Sequence, residues 1–243
     1  MNTPLQTVKQ SWKDFLSWKM LALNLGPVVV GLLFWGILLF YFGGNLVRIL
    51  EGFLPTSWYQ YAHTSGLLPA LFLLAFKLFA YVLLVLLVLV LSLVGNLFIS
   101  LFYTPFVIAS LHKRYYSDLA LENFGDLSRN IQYFLKQLAY LCLFLVVCIP
   151  LYFIPFIGVF VSLIPHYFFF KNTLCFDVGS SIYNEQTYQK ILVDYKVINH
   201  KIAIAAYLFS LIPIFNFFAT LLQTIILARH FLEIKHSLAK KLS

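Results

Sequence analysis

Polar side chains punctuate the second half of the last apolar stretch of this chain: Asn216, Thr220, Gln223 and Thr224. At helical spacing they fall within about 100° of one face. Ser162 and His166 make a thinner stripe of the same kind, and Asn96, Ser100, Tyr103 and Thr104 make a third. Hydroxyls and amides on one face can replace the water around a small polar solute, or they can hydrogen-bond a neighbouring helix as packing contacts. Two of the stripes follow matching motifs. Ile154-Pro155-Phe156-Ile157-Gly158 with Ser162-Leu163 aligns without gaps on Ile212-Pro213-Ile214-Phe215-Asn216 with Thr220-Leu221, 58 residues later. In each, Pro stops an inbound helix, and Gly or Asn takes the turn. Helix ends at such a turn carry unpaired backbone groups, tolerated at membrane depth only where protein or water satisfies them. Paired interrupted segments in corresponding positions point to a transporter's pathway.

Other chemistry is not signalled. No P-loop, GxGxxG, GxSxG or HExxH occurs, so ATP-driven transport would need another subunit and no cofactor is implied. With no catalytic dyad at membrane depth, the chain is not expected to be an enzyme. The six histidines lack ligand spacing, so no metal is expected. His166, inside an apolar run, reads as a packing or interfacial histidine or as a proton relay. Cys142, Cys148 and Cys175 read as small buried hydrophobes. Lys77 reads as snorkelling to the interface or as a substrate contact, and Arg229 as a helix C-terminal or headgroup contact.

The elements that position these residues follow from composition. The chain has 243 residues, 61% hydrophobic and 11% charged, against roughly 25% charged in a soluble domain. Mean hydropathy is +0.87. A soluble core of this size cannot hide so many apolar side chains, so a single membrane domain over 1–243 is expected. Residues 20–42 form an uncharged run long enough to cross a core of about 30 Å. Residues 66–111 contain one charge, Lys77. From Leu78 onward a straight helix would be about 51 Å long, so it must tilt, protrude or break, with Gly95 and Pro105 the weak points. Before the first run, in 1–19, Leu5, Val8, Trp12, Phe15 and Leu16 recur at helical spacing, an amphipathic helix suited to the membrane surface.

The third and fourth runs, 137–170 and 202–228, carry the two motifs. A turn at each motif leaves legs of about 15 to 25 Å, too short to cross. Each run therefore reads as a single kinked span or as a hairpin that dips in and returns. The net charge is +8, and the basic residues flank the apolar runs. Hairpins put every basic segment on one side, which the positive-inside tendency favours. The fold class expected is an all-α integral membrane protein with two long transmembrane helices, two half-inserted (re-entrant) helical hairpins and an N-terminal amphipathic helix. The basic flanks suit membrane lipid rather than nucleic acid.

The motif residues resemble a known family. Tyr152-Phe153-Ile154-Pro155-Phe156-Ile157-Gly158 resembles the YFIPxIG segment of the bacterial CysZ sulfate permeases, and Ile212-Pro213-Ile214-Phe215-Asn216 is similar to their IPLLN segment. Thr104-Pro105-Phe106 sits where they carry APF, and Trp12-Lys13 stands before Pro27 at their GWK-to-LLP spacing. The same domain occurs in the etoposide-induced membrane proteins. The resemblance implies a multi-pass protein of the bacterial inner (cytoplasmic) membrane, a homo-oligomer, and a permease or channel for sulfate or a related small oxyanion. The alternative is a non-transporting membrane protein that organises lipid or a partner complex. Family permeases carry G-[IL]-R-R before the first long helix. The equivalent positions here are Lys19, Met20, Leu21 and Ala22, so this is a divergent member in which Lys19 retains one charge. The substrate-binding residues expected are therefore Lys19, Ser162, His166, Asn216, Thr220, Gln223 and Thr224.

Overall fold

A computed structural model describes residues 3–100, 102–154 and 157–242, and every regular element among them is helical. In chain order these are α1 Pro4–Phe15, α2 Trp18–Glu51, α3 Thr56–Ala62, α4 Leu67–Ser100, α5 Tyr103–Tyr115, α6 Leu127–Val147, α7 Ile149–Tyr152, α8 Ile157–Val161, α9 Leu163–Ser180, α10 Glu185–Asp194, α11 Lys196–Tyr207 and α12 Asn216–Leu242. A 3-10 turn at Leu208–Leu211 follows α11. Among the described residues four segments are long and apolar enough to cross a membrane: Trp18–Gly52, Leu67–Gly95, Ser128–Val147 and Asn216–Lys241.

The chain divides into two compact units, one of Met1–Leu21 with Ser100–Ser243 and the other of Ala22–Ile99. In the second unit, α2 and α4 run antiparallel. Gly31 allows a close approach, because a Cβ there would meet the Ser92 backbone at 3.1 Å. Val47, Ala80 and Leu84 form the small core between them, with Leu39, Leu50 and Phe76 packed on it. Lys77, the one charge of the long apolar run, lies 3.7 Å from the buried Glu51. It is therefore an ion-pair partner within this unit, a reading that sequence alone did not offer. Most other apolar side chains of α2 and α4 face outward, as expected of helices whose solvent is lipid.

The long apolar run is interrupted. α4 ends at Ser100 and α5 begins at Tyr103, which puts the break between Gly95 and Pro105 rather than at either. Pro105 then sits in the first turn of α5, where its missing N–H costs no intrahelical bond.

The first unit is built around α12. Ala219, Leu221, Leu222, Ile225, Ile226, Phe231 and Leu232 are fully enclosed, and α1, α5, α9 and α11 all pack on this helix. α12 runs 27 residues, about 40 Å, so it continues well past the expected end of the fourth run at Ala228. α6 lies antiparallel on α9, with Tyr133 stacked on Phe176 at 3.8 Å between ring centres. The helices are interrupted at both motifs. The third run stops at Tyr152 and resumes at Ile157; the fourth loosens through the 3-10 turn and resumes at Asn216. Gly158 is needed sterically, since a Cβ there would lie 2.8 Å from the Tyr152 carbonyl oxygen. Pro155 and Phe156 fall outside the described residues.

The N-terminal helix forms where its amphipathic pattern predicts. Its start is fixed by a capping box between Thr3 and Gln6. The face it buries takes in the polar stripe as well as part of the apolar one. Thr7, Ser11 and Asp14 are enclosed together with Phe15, while Leu5 and Leu16 are exposed. In a protein solvated by lipid, the polar stripe is the one that gains from burial against protein, and the apolar residues can face outward.

Candidate functional site

Within the first unit, α9 and α11 meet along a polar seam. Near the first motif turn, the Tyr207 hydroxyl donates to the Leu163 carbonyl at 3.4 Å, and the Tyr207 ring lies 5.6 Å from that of Tyr167. One turn further, the Tyr167 hydroxyl is 2.9 Å from Nδ1 of His200, and Lys171 Nζ is 3.1 Å from its Nε2. An ammonium can only donate. Nε2 therefore accepts, the imidazole proton lies on Nδ1 and donates to the Tyr167 oxygen, and the Tyr167 hydroxyl is left to donate to the His200 carbonyl at 3.4 Å. This fixes both the tautomer and the ring orientation.

The seam is cationic and uncompensated. Among the described residues no carboxylate lies within ion-pairing distance of Lys171, His200, Lys196 or Lys201. Burial, then the charges of Lys171 and Lys196, hold the His200 pKa below its ordinary 6.5. Two adjacent basic groups without a counter-charge disfavour each other, and an anion placed between them relieves that cost.

The residues expected from sequence are distributed unevenly. Lys19 is exposed in the first turn of α2, and His166 is exposed on α9. Ser162 is half-buried at the start of α9, where its carbonyl accepts from the His166 N–H at 3.3 Å. Asn216 opens α12 and is exposed, and Thr220 is half-buried one turn on. Gln223 and Thr224 are enclosed: Gln223 Nε2 donates to the Ala206 carbonyl at 3.2 Å, and the Thr224 hydroxyl donates to the Thr220 carbonyl at 2.8 Å. The structure thus brings Gln223 onto α11 and leaves Asn216 and Thr220 more open.

A second polar cluster was not anticipated. Arg229 does not end its helix. It lies inside α12 and pairs with Asp14 of α1, with the two side chains 7% and 5% exposed. Arg229 also donates to Gln10 at 3.2 Å, and its guanidinium stacks 4.6 Å over the Tyr115 ring. The Tyr115 hydroxyl donates to Asp14 at 2.8 Å, and Arg114 approaches the same oxygen at 3.5 Å. Next along α12, His230 bonds Asn199 of α11 at 2.8 Å. Asp177 of α9 accepts from Thr104 of α5; burial pushes its carboxyl up and that hydroxyl opposes the shift. Among the described residues no group of three or more His, Cys, Asp or Glu could hold a metal ion.

Sequence contained a signal for the seam. Tyr167 and Lys171 are four apart, as are Lys196 and His200, which puts each pair on one helix face. Nothing in the sequence tells that the two faces meet.

A family model described as sulfate transporter CysZ/etoposide-induced protein 2.4 matches residues 7–220. The chain belongs to this family. The match takes in α1 from Thr7 onward, both motif turns and the α9–α11 seam, and it stops before Gln223, Thr224 and Arg229. No curated protein and no solved structure matches the chain. Family membership and the four long apolar helices together make it a multi-pass membrane protein of a transporter-type family.

Proposed function

We propose that the chain is a permease or channel for sulfate or a related small oxyanion, working as a homo-oligomer in the bacterial inner membrane. The observation that carries this reading is the Lys171–His200 pair, two basic groups in direct contact with no carboxylate partner among the described residues. Lys171 has further N–H groups to give, and the Tyr167 hydroxyl can turn from the His200 carbonyl to a ligand. These are the donors that a dehydrated oxyanion needs in place of water. The motif turns supply the rest of the path in a re-entrant arrangement. Ser162 and His166 lie at the start of α9, Asn216 and Thr220 lie at the start of α12, and Lys19 collects anions at the entrance. Gln223 and Thr224 brace α12 beside them.

A second reading is a membrane protein that organises lipid or partners without transport. It is favoured by one observation, the engagement of Gln223 and Thr224 with backbone carbonyls rather than with open space. Radiolabelled sulfate uptake into proteoliposomes, with selenate and phosphate as competitors, separates the two. Saturable uptake that falls at least tenfold in Lys171→Met supports the permease. No uptake above protein-free vesicles by correctly folded protein supports the second reading.

A further inference from the structure

Helices α6 and α9 keep one antiparallel register. Tyr133 stacks on Phe176, and four residues along, Gln137 accepts a hydrogen bond from Asn172 at 3.0 Å. Beyond this amide pair, toward the first motif turn, lies a groove of about 240 Å³. Leu141 and Phe144 of α6 wall it on one side, and Phe168 and Pro165 of α9 on the other. From Gln137 to Phe144 is seven residues, about 10 Å of helix. A groove of about 240 Å³ over that length has room for a hydrocarbon chain and not for a helix of about 10 Å diameter.

The two ends of the groove differ in chemistry. At the amide end, the Gln137–Asn172 bond uses one N–H and one carbonyl, and neither residue has another partner among the described residues. Whichever way the two amides are turned, one NH2 group and one carbonyl oxygen are left unused beside the groove. Lys136 is the preceding residue and is exposed. The other end is walled by Leu141, Phe144 and Pro165 and is apolar. A free amide donor and acceptor at one end of an apolar groove, with the exposed Lys136 next in the chain to Gln137, match the polarity of a single anionic phospholipid.

We propose that this groove seats one acyl chain of an anionic bilayer phospholipid. Its ester carbonyl accepts from the free amide N–H, a hydroxyl of a glycerol headgroup donates to the free amide carbonyl, and its phosphate lies toward Lys136. The aromatic wall of Phe144 and Phe168 holds the chain by contact area, and the amide pair sets its depth. This site is independent of transport. It would be occupied equally in a permease and in a protein that only organises lipid.

The test uses the full chain in phosphatidylcholine vesicles containing trace phosphatidylglycerol with a photoactivatable acyl chain. Adducts are mapped by mass spectrometry with and without excess unlabelled phosphatidylglycerol. The expected result is labelling concentrated at Leu141, Phe144 and Phe168 that excess phosphatidylglycerol removes. Leu141→Trp, which fills the slot, should lower that labelling about tenfold. Gln137→Leu should weaken competition about five- to tenfold, the value of one neutral hydrogen bond. Val147→Trp, on the exposed end of α6 outside the groove, should change neither. Labelling spread evenly over the exposed apolar face of α4, or insensitive to competitor, would overturn the proposal in favour of bulk lipid. Cross-links joining α6 of two copies would overturn it in favour of an oligomer contact. Equal competition by phosphatidylcholine would overturn the anionic headgroup. If Leu141→Trp does not fold, the site-restricted competition in the unaltered protein decides alone.

Discussion

Asp14 and Arg229, 215 positions apart, form an ion pair enclosed between the N-terminal helix and the helix at the centre of the first unit. Each charge has further partners: Tyr115 and Arg114 at the carboxylate, and Gln10 and the Tyr115 ring at the guanidinium. Removing Asp14 leaves Arg229 buried without a counter-charge, which costs about 3–5 kcal/mol, against at most about 1 kcal/mol for an exposed pair, and removing Arg229 leaves Asp14 only the more exposed Arg114. Asp14→Asn and Arg229→Met should each lower thermal stability markedly, while Asp14→Leu combined with Arg229→Met should recover most of the loss. Thermal melts of the purified single and double variants check this. Single variants that melt with the unaltered protein would show that the pair does not hold α1 in place.

How much of this was legible depends on which solvent each residue meets. The apolar runs, the interruptions at the Pro-containing motifs and the N-terminal helix follow from length, backbone sterics and helical spacing. The pairing of Asp14 with Arg229 does not. Arg229 borders an apolar run, where a headgroup contact is the ordinary reading, and only the continuation of α12 past Ala228 places it inside. Thr7, Ser11 and Asp14 recur at i, i+4 and i+7, so a polar stripe was visible. Hydrophobic periodicity points the apolar face at the membrane surface and leaves the partner of the polar stripe unnamed. His200 and Lys171 were passed over for a related reason: each looks like an interfacial charge until α9 and α11 are brought together.

Topology is the next expectation open to measurement. If both motif turns re-enter, the exposed Gln186 of α10 and Lys240 at the end of α12 share one side of the membrane. Single cysteines at these two positions, in a chain whose three native cysteines are replaced, should then be labelled by an impermeant maleimide from the same face. Labelling from opposite faces would establish single kinked spans instead. Trp12 stacks on Phe209 at 5.6 Å and lies 5.7 Å from Phe215, so α1 and the second turn share one depth. A single-tryptophan variant retaining Trp12 should therefore be quenched by lipids brominated along the acyl chain. Quenching only by headgroup-linked probes would place that turn at the surface.

The seam gives a pH dependence with a definite sign. His200 is held below 6.5 by burial, Lys171 and Lys196, so it is neutral at pH 7.5 and above. As pH falls through and below about 6.5, the unfolded chain takes up the proton first, and without anion stability declines in that window. A bound oxyanion favours the charged imidazole, so anion affinity should rise as pH is lowered from about 7.5 to about 5.5. Sulfate protection against thermal unfolding, measured across this range, should increase toward acid pH. In His200→Gln the increase should disappear while Lys171-dependent binding persists. A pH-independent protection in the unaltered protein would place the anion elsewhere.

The last expectation divides the α12 stripe. Gln223 and Thr220 lie three residues apart on one face, yet their surroundings differ. The Gln223 amide is enclosed and donates to the Ala206 carbonyl, whereas Thr220 and Asn216 keep exposed surface near the second turn. A bond between helices of this kind is worth about 0.6 kcal/mol on average in a membrane protein. Gln223→Leu should therefore lower the melting temperature slightly and leave sulfate flux per folded protein unchanged. Asn216→Leu and Thr220→Val remove groups that can face a solute, so they should lower flux severalfold with little change in stability. Measuring uptake and melting on all three variants separates bracing from contact. Equal flux in Asn216→Leu, Thr220→Val and the unaltered protein would remove the second turn from the path. A flux loss confined to Gln223→Leu would mean that the path runs between α11 and α12, where the Ala206 carbonyl and the Gln223 amide would have to part to admit the anion.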